Sequence, residues 1–253
     1  MSLKIISWNV NGLRSAEKKG FWGKIKELDP DIVCLQEIKA KPEQLSLAMR
    51  KPEGWYAYFF PAQRPGYSGV AVYSKKQPLK VHYGLGDDRF DAEGRVLVLV
   101  FAEFVLVNAY FPNGGRDDER LKFKLDFCEV IQEFLLGFSQ PVFLGGDINT
   151  AHQERDLARP RENVKNSGFL PVERAWLDRF IAAGFVDSFR VFHTEGENYS
   201  WWDMKTRARE RNVGWRIDYF FVSAGCEKYL QDAFILPEVM GSDHCPVGIE
   251  VVF

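Results

Sequence analysis

Apolar and polar positions along the chain fall into short blocks, most of them the length of a β-strand. Leu3 to Val10 alternates and predicts a strand that stops at the turn-forming Asn11-Gly12. Phe21 to Leu28 predicts a short helix closed by Asp29-Pro30. Asp31 to Gln36 is almost continuously apolar, the mark of a strand covered on both faces, and it delivers Glu37 at its exit. A helix is expected over Pro42 to Arg50. Strands are expected over Trp55 to Phe60, Gly69 to Ser74, Val96 to Phe101 and Phe104 to Phe111, the last two joined as a hairpin. A long helix follows, with Leu121, Leu125, Cys128, Ile131 and Leu135 on one stripe.

Pro141 to Leu144 predicts another buried strand, running into Gly145-Gly146-Asp147-Ile148-Asn149-Thr150. Two glycines before an acid allow a close backbone approach. Residues 152–173 read as a long loop carrying Arg155, Arg159, Arg161 and Lys165, before a helix through Trp176, Phe180 and Ala183. Trp215 to Val222 reads as an aromatic strand containing Asp218. A last apolar run follows Gly241-Ser242-Asp243-His244-Cys245-Pro246.

With 253 residues, 46% of them hydrophobic, the chain can bury a large core. No linker, repeat or low-complexity tract divides it, so one domain over residues 1–253 is expected. The longest apolar stretch is far short of the roughly 20 residues of a membrane helix. The first residues lack the regions of a signal peptide, which predicts a soluble intracellular protein, cytoplasmic (nucleoid) in a prokaryote, with no membrane partner. Cys34, Cys128, Cys226 and Cys245 show no CxxC spacing and are expected as free, buried thiols. The net charge of -2 argues against a polyanionic partner. Carboxylates gathered around a metal, however, depress that sum while basic loops still face phosphate.

Separate strands end in polar groups: Asn9, Glu37, Tyr110, Asp147 with Asn149, Asp218, and Asp243 with His244. In α/β folds ligands bind at strand ends, where loops converge over a rigid sheet. An unpaired carboxylate inside an aromatic strand is costly, so Asp218 requires a partner such as an imidazole. Hard oxygen donors with one histidine and no thiolate favour Mg²⁺ or Mn²⁺. Positioned acids and bases contribute about 10²- to 10⁴-fold, against the roughly 10⁶- to 10¹⁷-fold that enzymes reach. A phosphate facing several carboxylates therefore calls for a cation.

LQEIK at Leu35 to Lys39, NAYFPNG at Asn108 to Gly114, GGDINTAH at Gly145 to His152, KNSGFLPVER at Lys165 to Arg174, NVGWRIDYFF at Asn212 to Phe221 and GSDHCPV at Gly241 to Val247 occur in this order. Together, from SWNVNGLR at Ser7 to Arg14 onward, the chain resembles the exonuclease III family of abasic-site endonucleases. That family lies within the endonuclease/exonuclease/phosphatase superfamily. The resemblance implies a four-layer α/β sandwich, two packed mixed β-sheets flanked by helices, as in pancreatic deoxyribonuclease. It also implies a Mg²⁺-dependent phosphodiesterase, Mn²⁺ serving as substitute, that acts as a monomer on double-stranded DNA 5′ to abasic sites and also trims 3′ ends.

Carried over residue by residue, the resemblance assigns catalysis to Tyr110, Asp147, Asn149, Asp218 and His244. Asp147 would orient or deprotonate water, and His244, oriented by Asp218, would contact the phosphate. The metal-side set comprises Asn9, Asn11, Glu37, Asp147, Asn149, Asp243 and His244. Trp201, Trp215 and Ile217 would receive an extrahelical sugar. Asn113, Asn163 and Asn166 would hold phosphates, Arg116 and Lys205 would reach into the duplex, and the basic run from Lys205 to Arg211 would contact the backbone. Three positions depart from common family residues: Trp201 for phenylalanine, Ile148 for phenylalanine or leucine, and Asn11 for aspartate. A superfamily phosphatase or phospholipase acting on inositol lipids or sphingomyelin would share the acids and His244 but not NVGWRIDYFF. A DNA-binding scaffold with a dead site is the non-enzymatic alternative.

Overall fold

A computed structural model describes residues 2–115 and 117–253. In chain order the strands are β1 (Ser2–Asn9), β2 (Ile32–Gln36), β3 (Tyr56–Phe60), β4 (Val70–Ser74), β5 (Lys80–Tyr83), β6 (Val96–Val100), β7 (Val105–Tyr110), β8 (Val142–Asp147), β9 (Phe185–Asp187), β10 (Trp201–Trp202), β11 (Gly214–Trp215), β12 (Asp218–Ser223), β13 (Leu230–Ile235) and β14 (Val247–Val252). The α-helices are α1 (Leu13–Lys18), α2 (Phe21–Leu28), α3 (Leu47–Arg50), α4 (Asp88–Asp91), α5 (Asp118–Leu136), α6 (Pro160–Asn163), α7 (Pro171–Ala182) and α8 (Ser188–Phe192).

Two six-stranded sheets are ordered β13-β14-β1-β2-β4-β3 and β5-β6-β7-β8-β12-β9, and β10 with β11 makes a short ribbon. Each sheet holds one parallel pair, β1 with β2 and β7 with β8. Period-two alternation explains why the central strands read as unbroken apolar runs. Along β2, Ile32 and Cys34 belong to the core between the sheets, while Val33 and Leu35 pack against helices outside. Along β6, Leu97 and Leu99 face inward and Val96 and Val98 outward. Leu13, Phe21, Ile25 and Met49 cover the first sheet. Phe127, Ile131, Trp176 and Phe180 cover the second. The result is the four-layer α/β sandwich that the resemblance implies.

Several local expectations change. Pro42 to Arg50 is a 3₁₀ turn (Pro42–Gln44) and the single turn α3, interrupted at Leu45 and Ser46, both extended. The Ser46 hydroxyl accepts from Met49 N, so this serine starts a helix rather than continuing one. Residues 152–173 hold a 3₁₀ turn (Glu154–Asp156) and α6, and the following helix begins at Pro171, where proline's fixed φ suits the first turn. All four cysteines are free and buried. No helix among the described residues is long and apolar enough to cross a membrane.

The glycines before Asp147 are dictated by packing. A Cβ on Gly146, whose φ is +154°, would sit 1.8 Å from the Ala109 carbonyl oxygen of β7, and one on Gly145 would sit 2.4 Å from the Phe220 ring. The expected close approach is therefore between β8 and its two neighbours.

Candidate active site

β1, β2, β7 and β8 finish at one edge of the sandwich, and the antiparallel β12 and β14 begin there. Asp218 opens β12 directly opposite Asp147, the last residue of β8. Strand direction thus brings together acids that lie far apart in sequence. Just beyond the strand ends the backbone turns left-handed at Asn11, Glu37, Lys39 and Asn149, with φ of 45°, 52°, 50° and 55°. Such positions cost of order 1–3 kcal/mol each and persist where surrounding contacts hold them.

At the centre, Asn9 Nδ2 donates to Glu37 Oε1 at 2.9 Å and to Asp147 Oδ2 at 2.8 Å. His244 Nδ1 lies 2.9 Å from Asp218 Oδ2, and its Nε2 faces Asp147 Oδ2 at 3.9 Å. Asn149 N–H fixes Asp147 Oδ1 at 2.8 Å. Ser200 Oγ accepts the backbone N–H groups of Ile217 and Asp218 and donates to Asp218 Oδ2 at 2.6 Å, while buried Asp218 Oδ1 lacks a protein partner.

Burial raises the Asp147 pKa well above the usual carboxylate range, and the neighbouring Asp218 charge adds to the effect. Burial also works against the His244 imidazolium, yet Asp218 outweighs it and raises this pKa. For Glu37, burial opposes ionisation but Lys39 and Asn9 prevail, so its pKa falls; Lys39 Nζ sits 2.7 Å from Glu37 Oε2. Burial holds the Tyr110 hydroxyl protonated, reinforced by Glu37.

Glu37, Asp147 and His244 each offer a ligand atom within 4.8 Å of the others, a cluster that could hold a metal ion. The two carboxylates fit a hard divalent cation, while His244, held as an imidazolium by Asp218, stands beside them as a proton donor. Asp243 stands beside this cluster with its oxygens engaged: Oδ1 accepts from Asn11 Nδ2 at 2.9 Å and Oδ2 from the Trp201 indole N–H at 3.1 Å.

One cleft of about 310 Å³ joins this cluster to an apolar wall. Glu37, Tyr110, Asp147, Asp243 and His244 line it together with Trp201, Trp215 and Ile217, and the backbone of Trp201 bridges to His244. Asn113, Asn149, Asn166, Ser167 and Gly168 complete it. Trp215 faces Trp201 and Phe169 edge-on. Asn163 does not line the cleft: it accepts from Asn166 Nδ2 at 2.8 Å and donates to the carbonyl of Arg159. Lys205 is exposed outside the cleft, and Arg116 lies outside the described residues. Within the basic run from Lys205 to Arg211, Arg209 is turned inward. Its guanidinium donates to the carbonyls of Pro237, Val239 and Ser242 and covers the Trp202 ring, clamping the loop that carries Asp243 and His244.

Sequence reasoning assigned no role to Lys39, Ser200 or Arg216. Buried Arg216 grips Asp187 through both terminal nitrogens (3.1 and 2.7 Å) and Asp156 through Nε (2.8 Å), fixing the backbone between Trp215 and Ile217. Its placement between two cleft residues was the available signal. Basic side chains line two further clefts: Arg14, Lys18 and Lys39 one, and Arg64 and Arg120, together with Glu93, another that shares Asn113. Two of these cations are already engaged by acids, Arg120 by Glu93 and Lys39 by Glu37, so the local positive charge rests on Arg14, Lys18 and Arg64.

Residues 6–244 match the model of the Endonuclease/Exonuclease/phosphatase family. The exodeoxyribonuclease of Bacillus subtilis (strain 168) is 47% identical over 251 residues, covering 98% of both chains. DNA repair nuclease APEX1 of Danio rerio is 42% identical, covering 98% of this chain and 82% of the other. Among solved structures, a 3′ phosphatase from Neisseria bound to a product DNA hairpin superposes with a TM-score of 0.91 at 29% identity, covering 99% of this chain and all of that one. The AP endonuclease of Leishmania major gives 0.89 at 30% identity, covering 99% and 87%. With its sandwich fold and its strand-end acids, the chain belongs to the endonuclease/exonuclease/phosphatase family, within the exonuclease III group of AP endonucleases.

Proposed function

We propose that this protein is an intracellular DNA-repair phosphodiesterase that cuts duplex DNA 5′ to an abasic site, leaves a 3′-OH, and trims 3′ ends in the same cleft. The observation that carries this reading is the single cleft in which the Glu37/Asp147/His244 cluster adjoins the Trp201/Trp215/Ile217 wall. A phosphate placed at the cluster leaves the neighbouring deoxyribose against aromatic surface. A missing base lowers the cost of swinging that sugar out of the helix. The names of the B. subtilis and D. rerio relatives support the reaction class.

Glu37, held by Asn9, would anchor Mg²⁺ or Mn²⁺ beside Asp147, and the bound ion would supply positive charge against the phosphate oxygens. Asp147, its charge disfavoured by burial and Asp218, is suited to take a proton from the attacking water. Asn149 holds it in place. His244, kept protonated by Asp218, donates to the scissile phosphate. Tyr110, protonated at neutral pH, donates to the phosphate or the departing 3′ oxygen. Asn113 and Asn166 hold neighbouring phosphates, and Arg14, Lys18 and Arg64 attract the duplex without reading sequence.

The test is a duplex oligonucleotide with one abasic analogue, incubated with Mg²⁺ or with EDTA. A single cut 5′ to the analogue with Mg²⁺ alone is expected. Cutting that persists in EDTA rejects the metal requirement. No cutting, with release of phosphate from an inositol lipid, moves the assignment to a superfamily phosphatase.

A further inference from the structure

Beneath the cleft lies a charged pair that the catalytic scheme does not use. Lys124 of α5 and Glu173 of α7 have side chains 1% and 0% exposed, with Nζ 2.7 Å from Oε1. Both Glu173 oxygens are doubly occupied. Oε1 also accepts from Ser167 Oγ at 2.9 Å, and Oε2 accepts from Gly168 N at 2.6 Å and Leu170 N at 3.0 Å. Lys124 Nζ donates in turn to the Asn149 carbonyl at 2.8 Å, and Ala151 N–H donates to the Gly168 carbonyl at 2.8 Å. These bonds close a ring that joins the loop bearing Asn166, Ser167 and Gly168 to the left-handed turn bearing Asn149.

Capping α7 would need only the Leu170 N–H bond. A buried ion pair adds little stability over an apolar pair of the same size, so stability does not account for it either. We propose that Lys124 and Glu173 are positioning residues that set the spacing between the sugar pocket's loop and the Asp147/Asn149 turn. This rests on the abasic-site reading in assigning the pocket to a sugar. Displacement of a reacting group by about 1 Å can cost roughly 10²-fold, which gives such a spacer its leverage.

The full chain is compared with Lys124→Met, Glu173→Gln, the double variant and Lys124→Arg. On an abasic-analogue duplex with Mg²⁺, each of the first two is expected to lower kcat/KM by roughly 10- to 100-fold. The double variant should be no worse than the poorer single one, and Lys124→Arg should restore most of the loss. Amide hydrogen exchange without DNA gives an independent reading. Lys124→Met should speed exchange at Gly168 and Leu170, which Lys124 does not touch, and Glu173→Gln should speed it at Ala151, which Glu173 does not touch. Losses that multiply in the double variant, or exchange confined to each residue's own contacts, overturn the proposal. Should Lys124→Met not fold, the isosteric Glu173→Gln decides the question at Ala151. If the parent chain leaves abasic DNA uncut, the functional reading falls while the exchange data still decide the coupling.

Discussion

Replacing Asp156 by asparagine keeps the side chain's shape and removes one negative charge from a buried network. Asp156 faces Arg216 and Arg190, and its Oδ2 accepts from Gln153 N. Burial opposes its ionisation, but the two guanidinium groups outweigh burial and bring its pKa from 3.8 to about 2. At about 1.36 kcal/mol per tenfold, that depression corresponds to stability on the order of 2 kcal/mol. Because the folded-state pKa is depressed, this stability is present above the unfolded value of 3.8 and is lost as pH falls through about 2. Urea unfolding followed by tryptophan fluorescence should show Asp156→Asn less stable than the parent by roughly 2 kcal/mol near neutral pH. The gap should close between about pH 4 and about pH 2. A gap that stays constant across that window would refute the assignment of the stabilisation to the carboxylate charge. Because Leu157 bridges to Trp215, the variant should also bind abasic duplex more weakly.

Asp147→Asn and His244→Asn should each lower kcat by roughly 10²- to 10⁴-fold with near-ultraviolet circular dichroism unchanged; parallel loss of that signal would make both residues structural. Gly146→Ala should destabilise the fold by roughly 3 kcal/mol or more, read as a lowered urea midpoint, since its Cβ meets the Ala109 carbonyl. Calorimetric titration with Mn²⁺ should show binding to the parent chain and a large loss in Glu37→Gln, and unchanged binding would remove Glu37 from the metal site.

The strands legible in the sequence include those buried on both faces, β2, β4, β6, β7 and β8, where two-sided burial leaves an unbroken apolar run, and also β1, β3 and β12, where alternation or aromatic residues mark them. The acids at their ends were legible for the complementary reason: a carboxylate leaving a buried strand needs an explanation. β13, Leu230-Gln-Asp-Ala-Phe-Ile, escaped notice because only two of its six residues are buried. α8 is five residues long and follows β9 without a break, leaving no room for a periodic pattern. The supporting shell was the least legible part. Lys124, Glu173, Arg216, Asp156 and Asp187 look in sequence like ordinary surface charges. Their burial becomes evident only when partners 29 to 60 residues away meet them. Ser200 carries no local signal, since its bond to Asp218 depends on a ribbon of four residues.

The opposition of Asp147 and Asp218 across the β8–β12 ladder has a further consequence. The distance between these acids is set by main-chain hydrogen bonds and is insulated from the loops that leave the sheet. Insertions in the surface segments around residues 195–198 or 224–225 should be absorbed without moving either carboxylate. A single residue added inside β8 or β12 would turn one acid to the opposite face of the sheet and abolish the site, however well the rest folded. The rim of this site can therefore change in length while the strands keep the spacing of its acids constant.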